Sequence, residues 1–70
     1  MPKEIFKLTE EFIPLDKLLK LLGVAETGGM AHQMIVNGEV KVNGNAELQK
    51  RKKLRTGDSV SFEDYQISIE

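Results

Sequence analysis

The densest charge in the chain lies in residues 46–55, AELQKRKKLR, where Lys50, Arg51, Lys52, Lys53 and Arg55 face Glu47 alone. That segment carries a net +4. Residues 56–70 hold Asp58, Glu63, Asp64 and Glu70 with no Lys or Arg, a net −4. Clustered Lys and Arg attract phosphate through charge and counterion release. The same run also suits a solvated loop that serves only solubility. Lys17, Lys20 and Lys41 are further cations outside it. Aromatic stacking finds little support: Phe6, Phe12, Phe62 and Tyr65 read as core or strand residues, so phosphate recognition would rest on backbone and shape.

A second chemical feature is Gly28-Gly29 directly after Thr27. If Thr27 caps a helix, the two glycines are its first residues. Their N–H groups lack helical partners and sit at the positive end of the dipole. Without Cβ atoms, the backbone there admits close approach of an anion. Close packing between two helices would use the same glycines.

Catalysis has weak support. The chain holds one His, His32, and any nucleophile–base pair would need it beside Ser59, Ser61, Ser68 or a Thr. The spacing brings none of them together, and the three serines fall in predicted strands. Glu10-Glu11 and Glu63-Asp64 are adjacent carboxylates in predicted turns, where solvated charge is the ordinary role. No G-x-G-x-x-G fingerprint is present. With no Cys and a single His, neither a disulfide nor a thiolate or His-rich metal site is available, and no cofactor is implied.

The elements that must position these groups follow from periodicity. Ile5, Phe6 and Leu8 suggest a first strand. Pro14 is expected at the first position of a helix, where its missing N–H costs nothing. Leu15, Leu18, Leu19 and Leu22 share one helical face, with Asp16, Lys17 and Lys20 opposite. Gly23 sits where a left-handed cap ends such a helix. Thr27 is the expected cap of a second helix, with Met30, Ala31, Met34 and Ile35 apolar and Gly29, His32, Gln33 and Val36 opposite. Gly38 closes it. Val40 and Val42 then alternate with Lys41, and Asn43-Gly44 is a strong hairpin signal with Ala46 and Leu48 on the return. Arg55 to Asp58 read as a turn, Val60 and Phe62 as a strand, Glu63-Asp64 as another turn, and Tyr65, Ile67 and Ile69 as a last strand. The expected fold class is α+β: two short helices packed on a small antiparallel sheet of about four to five strands.

Seventy residues are expected to form one small domain spanning 1–70, without room for a catalytic domain. At 40% hydrophobic and 30% charged it is globular rather than disordered. There is no run of about 18 apolar residues to span a membrane, and with no basic stretch followed by an apolar one, no signal peptide is expected. A reducing cytoplasm is the expected setting. The net charge of −1 alone argues against a nucleic-acid partner, but it averages over two opposed segments.

Three stretches, PLDKLLKLLGV, TGGMAHQMIVNGEVKVNGN and KKLRTGDSVSF, together resemble the αL-type RNA-binding domain named after ribosomal protein S-four of the small subunit. The resemblance covers about residues 12–63 and rests on LDKLL, the Ala-x-x-x-Ile helix, G-x-V-x-V-N-G and G-D-x-V in that order. Within the family, the chain is similar to the small stand-alone YaaA/YbcJ-like bacterial proteins. The resemblance implies two helices on a small antiparallel sheet that bind structured RNA, very often ribosomal RNA, through the two-helix face and neighbouring loops. It implies contacts at Lys17, Thr27, Gly28, Gly29, His32, Gln33, Lys50, Arg51, Lys52, Lys53 and Arg55; the charge pattern adds Lys20 and Lys41. Pro14, Gly28 and His32 stand where many members carry a cation.

The implied function is a non-catalytic RNA-binding module, in ribosome assembly or ribosome-associated quality control, with neither a membrane nor a small-molecule substrate as partner. Two other readings fit the charge pattern: an adaptor whose basic loop meets an acidic protein, and a duplex-DNA accessory in replication or repair.

Overall fold

A computed structural model describes residues 3–63 and 65–70. The chain order is β1 (Lys3–Phe6), β2 (Ile13–Pro14), α1 (Leu15–Leu21), α2 (Gly28–Val36), β3 (Val40–Val42), β4 (Asn45–Ala46), β5 (Lys53–Leu54), β6 (Ser59–Phe62) and β7 (Tyr65–Ile69). Alternation makes each longer strand two-faced. Val40, Val42, Val60, Ile67 and Ile69 are buried, while Lys41, Gln66 and Ser68 between them are exposed. The buried face meets Leu15, Leu18 and Leu19 of α1 and Ala31 and Ile35 of α2 in one core. Two helices thus pack on a five-stranded sheet of order β1-β7-β6-β3-β4, beside a two-stranded ladder of β2 and β5.

The local signals hold in detail. Asn43 and Gly44 both take positive φ, 53° and 88°, as the hairpin turn between β3 and β4 requires. The Asn43 side chain also accepts a bond from Ser59 N–H at 2.9 Å and donates to Asp58 Oδ1 at 3.2 Å. Asp58 in turn accepts the Arg55 N–H at 2.8 Å. That backbone bond, together with Asn43 and the charges of Lys52 and Arg55, outweighs the opposing effect of burial and holds the Asp58 carboxyl below 3.8. Gly23 at φ 76° follows α1, and Gly38 at φ 77° follows α2.

Four expectations shift. The sheet is mixed rather than wholly antiparallel, because β1 pairs parallel with β7. These strands come from opposite ends of the chain, so no hairpin fixes their relative direction, and everything between them serves as the crossover. Tyr65 Oη donates to Glu4 Oε1 across this join at 2.9 Å. Pro14 precedes the first helical residue, in extended conformation at ψ 143°, because it pairs with Lys53 in the β2–β5 ladder. The return strand after Asn43-Gly44 ends at Ala46 and leaves Leu48 60% exposed. There the Glu47 carboxylate accepts the Gln49 N–H and turns the chain away. Finally, part of the basic run is strand: Lys53-Leu54 forms β5, with Leu54 fully buried. Of the Glu63-Asp64 turn, Glu63 is at φ 52° and Asp64 lies outside the described residues.

Candidate nucleic-acid interface

The basic run is pinned to the start of α1 by backbone bonds. Leu15 N–H donates to the Lys52 carbonyl at 2.9 Å, and Asp16 N–H to the Lys50 carbonyl at 3.1 Å. The first N–H groups of a helix have no partner within it. In α1 two of them are spent on the loop, and the loop gains a fixed position. Leu54 enters the core beside Ile13, so the cations just before it are carried on a buried peg.

Each cation of the run then has its own surroundings. Arg51 lies close enough to Asp16 for its charge to be felt there. Lys52 is half-buried, and its charge acts on Asp58. Lys53 places Nζ 5.0 Å from the centre of the Phe12 ring. Lys50 and Arg55 are exposed, Arg55 at the start of the turn closed by Asp58.

The two helices meet at one polar contact. His32 Nε2 donates to Asp16 Oδ2 at 2.9 Å, and Asp16 Oδ1 accepts the Lys17 N–H at 2.8 Å. Partial burial raises the Asp16 pKa. The His32 and Lys17 bonds and the charge of Arg51 outweigh burial and hold it below 3.8. Asp16 therefore sits between the basic run and α2 and orients His32. Lys17 and Lys20 are exposed on α1, Lys20 four residues after Asp16 on the same helical side.

Thr27 caps α2 as expected, its Oγ1 accepting the Met30 N–H at 3.1 Å. Gly28 and Gly29 open the helix, one turn before His32. Helix packing does not account for them. A Cβ at Gly28 meets nothing within 4 Å, one at Gly29 meets only Thr27 Oγ1 at 3.9 Å, and neither has positive φ. Gly28→Ala and Gly29→Ala should each stabilise the fold by about 0.5–1 kcal/mol, since Gly is the poorer helix former. For a domain of this size that raises the melting temperature by several degrees, about 4–8 °C per kcal/mol. A fall in melting temperature for either variant would give these glycines a structural need that the geometry lacks.

Lys17, His32, Lys50 and Arg51 meet about Asp16, with Lys20 one turn further along α1, Gly28 and Gly29 one turn before His32 on α2, and Lys53 beside Phe12. Gln33 is exposed on α2 next to His32, its amide donating to Asn37 at 3.4 Å. Lys41 does not join them. It alternates with buried Val40 and Val42 and pairs with Ser61, so it projects from the sheet face opposite the helices. Ser59, Ser61 and Ser68 alternate with buried residues in the same way and project from that opposite face, away from His32. A His–Ser pair is thereby excluded for those serines.

One aromatic departs from the sequence reading. Phe6, Phe62 and Tyr65 pack against the core, whereas Phe12 lies in no strand and outside that cluster. Instead it lines an open groove of about 460 Å³ with Glu10, Glu11, Pro14, Lys17 and Arg51. The apolar run Phe12-Ile13 concealed this: Ile13, the first residue of β2, enters the core, while Phe12 before it faces the groove.

Known proteins share this architecture. The family model described as S4 domain matches residues 6–70. The chain is 40% identical over 57 residues to YbcJ of Escherichia coli (strain K12), a protein named as a candidate RNA-binding protein, covering 81% of each. It is 38% identical over 55 residues to RlbA of Bacillus subtilis (strain 168), whose name gives it a provisional role in ribosome maturation, covering 79% of this chain and 78% of that one. The solution structure of the Escherichia coli YbcJ, described as revealing an αL motif involved in RNA-binding, superposes with a TM-score of 0.71 at 38% identity. The superposition covers 93% of this chain and 84% of that one. By that family match and this superposition, the chain belongs to the S4 domain family.

Proposed function

We propose that the protein binds structured RNA, ribosomal RNA foremost, through the α1–α2 junction and the basic run, and that it does so without catalysing a reaction. The observation that carries this reading is the pair of backbone bonds from Leu15 and Asp16 to Lys52 and Lys50. A solvated loop that served only solubility would need no such anchorage. A fixed array of cations beside an exposed helix start suits phosphates whose spacing is set by a folded RNA. The names of YbcJ and RlbA support the RNA and the ribosomal setting respectively. Action in the cytoplasm belongs to the same proposal.

Filter binding across a salt series tests it, with ribosomal RNA fragments, duplex DNA of matched length, and an acidic protein as competitor. Lys17, Lys20, Lys50, Arg51 and Lys53 together predict a log–log salt slope of about −4 on folded RNA. RNA should be preferred over duplex DNA. Equal affinity for duplex DNA would favour the accessory role in replication or repair. Retention of neither nucleic acid, with capture of the acidic protein, would favour the adaptor.

A further inference from the structure

We propose that the groove beside Phe12 receives the unpaired base of a guanosine in the bound RNA, an inference that rests on the RNA-binding function above. The groove combines three kinds of lining. Phe12 and Pro14 give it an apolar wall, Lys17 and Arg51 a cationic rim, and Glu10 and Glu11 an anionic one.

The opposite charges do not close on each other: among the described residues the only ion pair within 4.0 Å is His32–Asp16. Two carboxylates beside two cations are poorly suited to phosphate alone, since they repel it. They suit a ligand that offers phosphate at one end and N–H donors at the other, with a flat face between. A nucleotide has that form.

Phe12 supplies the stacking surface. An aromatic ring outside the core cluster, half-exposed at a groove, has the placement of a base platform. The Lys53 ammonium lies over one face of the ring, 5.0 Å from its centre, so the base would stack on the other face.

The choice of base follows from the carboxylates. An ionised Glu accepts hydrogen bonds through two oxygens and donates none. The Watson–Crick edge of guanine presents N1–H and N2–H side by side, matching both oxygens of one carboxylate. Adenine and cytosine present one donor beside a ring-nitrogen lone pair, which faces the second oxygen unfavourably. Uracil presents one donor between two carbonyls. Guanine alone satisfies the acidic rim without a repulsive contact.

The test titrates the ¹⁵N-labelled chain with guanosine 5′-monophosphate, adenosine 5′-monophosphate and inorganic phosphate, followed by amide chemical shifts. The guanosine nucleotide should shift Glu11, Phe12, Lys17 and Arg51 and saturate at about tenfold lower concentration than the adenosine nucleotide. Phosphate should shift only Lys17, Arg51 and their neighbours. The double variant Glu10→Gln, Glu11→Gln should bind both nucleotides alike. Phe12→Leu should weaken both by about tenfold, its dispersed spectrum showing that the fold persists.

Indistinguishable responses to the two nucleotides, or a guanosine preference that survives the double Gln variant, would overturn the groove assignment. If the parent still binds RNA in the filter assay, that failure belongs to the groove alone. If the parent binds no RNA, the proposed function falls and the guanosine assignment falls with it.

Discussion

Neutralising Lys50, Arg51 and Lys53 together as glutamines should weaken binding to folded RNA by two to three orders of magnitude near 0.1 M salt, with the fold retained. The magnitude follows from counterion release. Each lost phosphate contact reduces the log–log salt slope by about 0.7–0.9, so three contacts remove about 2–3 from it. Near 1 M salt this term vanishes, and tenfold less salt converts the change in slope into about the same number of powers of ten. Lys52 is left in place deliberately. It is half-buried and its charge acts on Asp58, which organises the turn after β5, so changing it would mix binding with stability. Charge reversal to Glu is avoided because an anion at position 51 would repel the Asp16 carboxylate between the helices, whereas Gln only removes the attraction of Arg51. The measurement is filter binding at four or more salt concentrations, with a thermal melt as the control for folding. A triple variant that melts with the parent and keeps both its affinity and its slope would remove the basic run from the interface.

The same residues show which features the sequence made legible. Thr27, Asn43-Gly44 and Gly23 announce themselves because their roles are local: a cap bonds three residues on, and a tight turn needs positive φ at particular positions. The αL motifs were legible for a related reason, since LDKLL, the Thr27 cap and the G-x-V-x-V-N-G hairpin each fix one local geometry. Contacts between distant segments carried no such signal. The parallel pairing of β1 with β7 joins residues more than sixty positions apart, and alternation specifies faces without specifying partners. The basic run reads as a loop because Leu54 is a single apolar residue among cations, and only the partner strand at Ile13 makes it core. Phe12 reads as core for the converse reason, being hydrophobic beside a residue that is buried. His32 shows the limit for the candidate interface: the spacing put it on an outward helix side, but its partner Asp16 lies on the other helix.

Leu54→Ala should damage both the fold and the interface. Leu54 is fully buried, and truncating such a residue costs about 2–5 kcal/mol through lost transfer energy and the cavity left behind. A chain of this length has a total stability of about 4–10 kcal/mol, so the loss is a large share of it. At about 3 kcal/mol the melting temperature should fall by roughly 12–24 °C. A second effect is specific to this position. The β2–β5 ladder is only two residues long, and Leu54 with Ile13 is its buried pair. Shrinking the peg frees the run that carries Lys50, Arg51 and Lys53, so their phosphate contacts must be ordered anew on each binding event. The appropriate control is Val60→Ala, an equally buried cavity in β6 with no cation beside it. At a temperature where both variants are folded, Val60→Ala should bind RNA as the parent does. Leu54→Ala should bind more weakly, because its cations are no longer held in register. If the two variants bind equally, the buried peg matters to stability alone, and the anchorage of the run rests on the Leu15 and Asp16 backbone bonds by themselves.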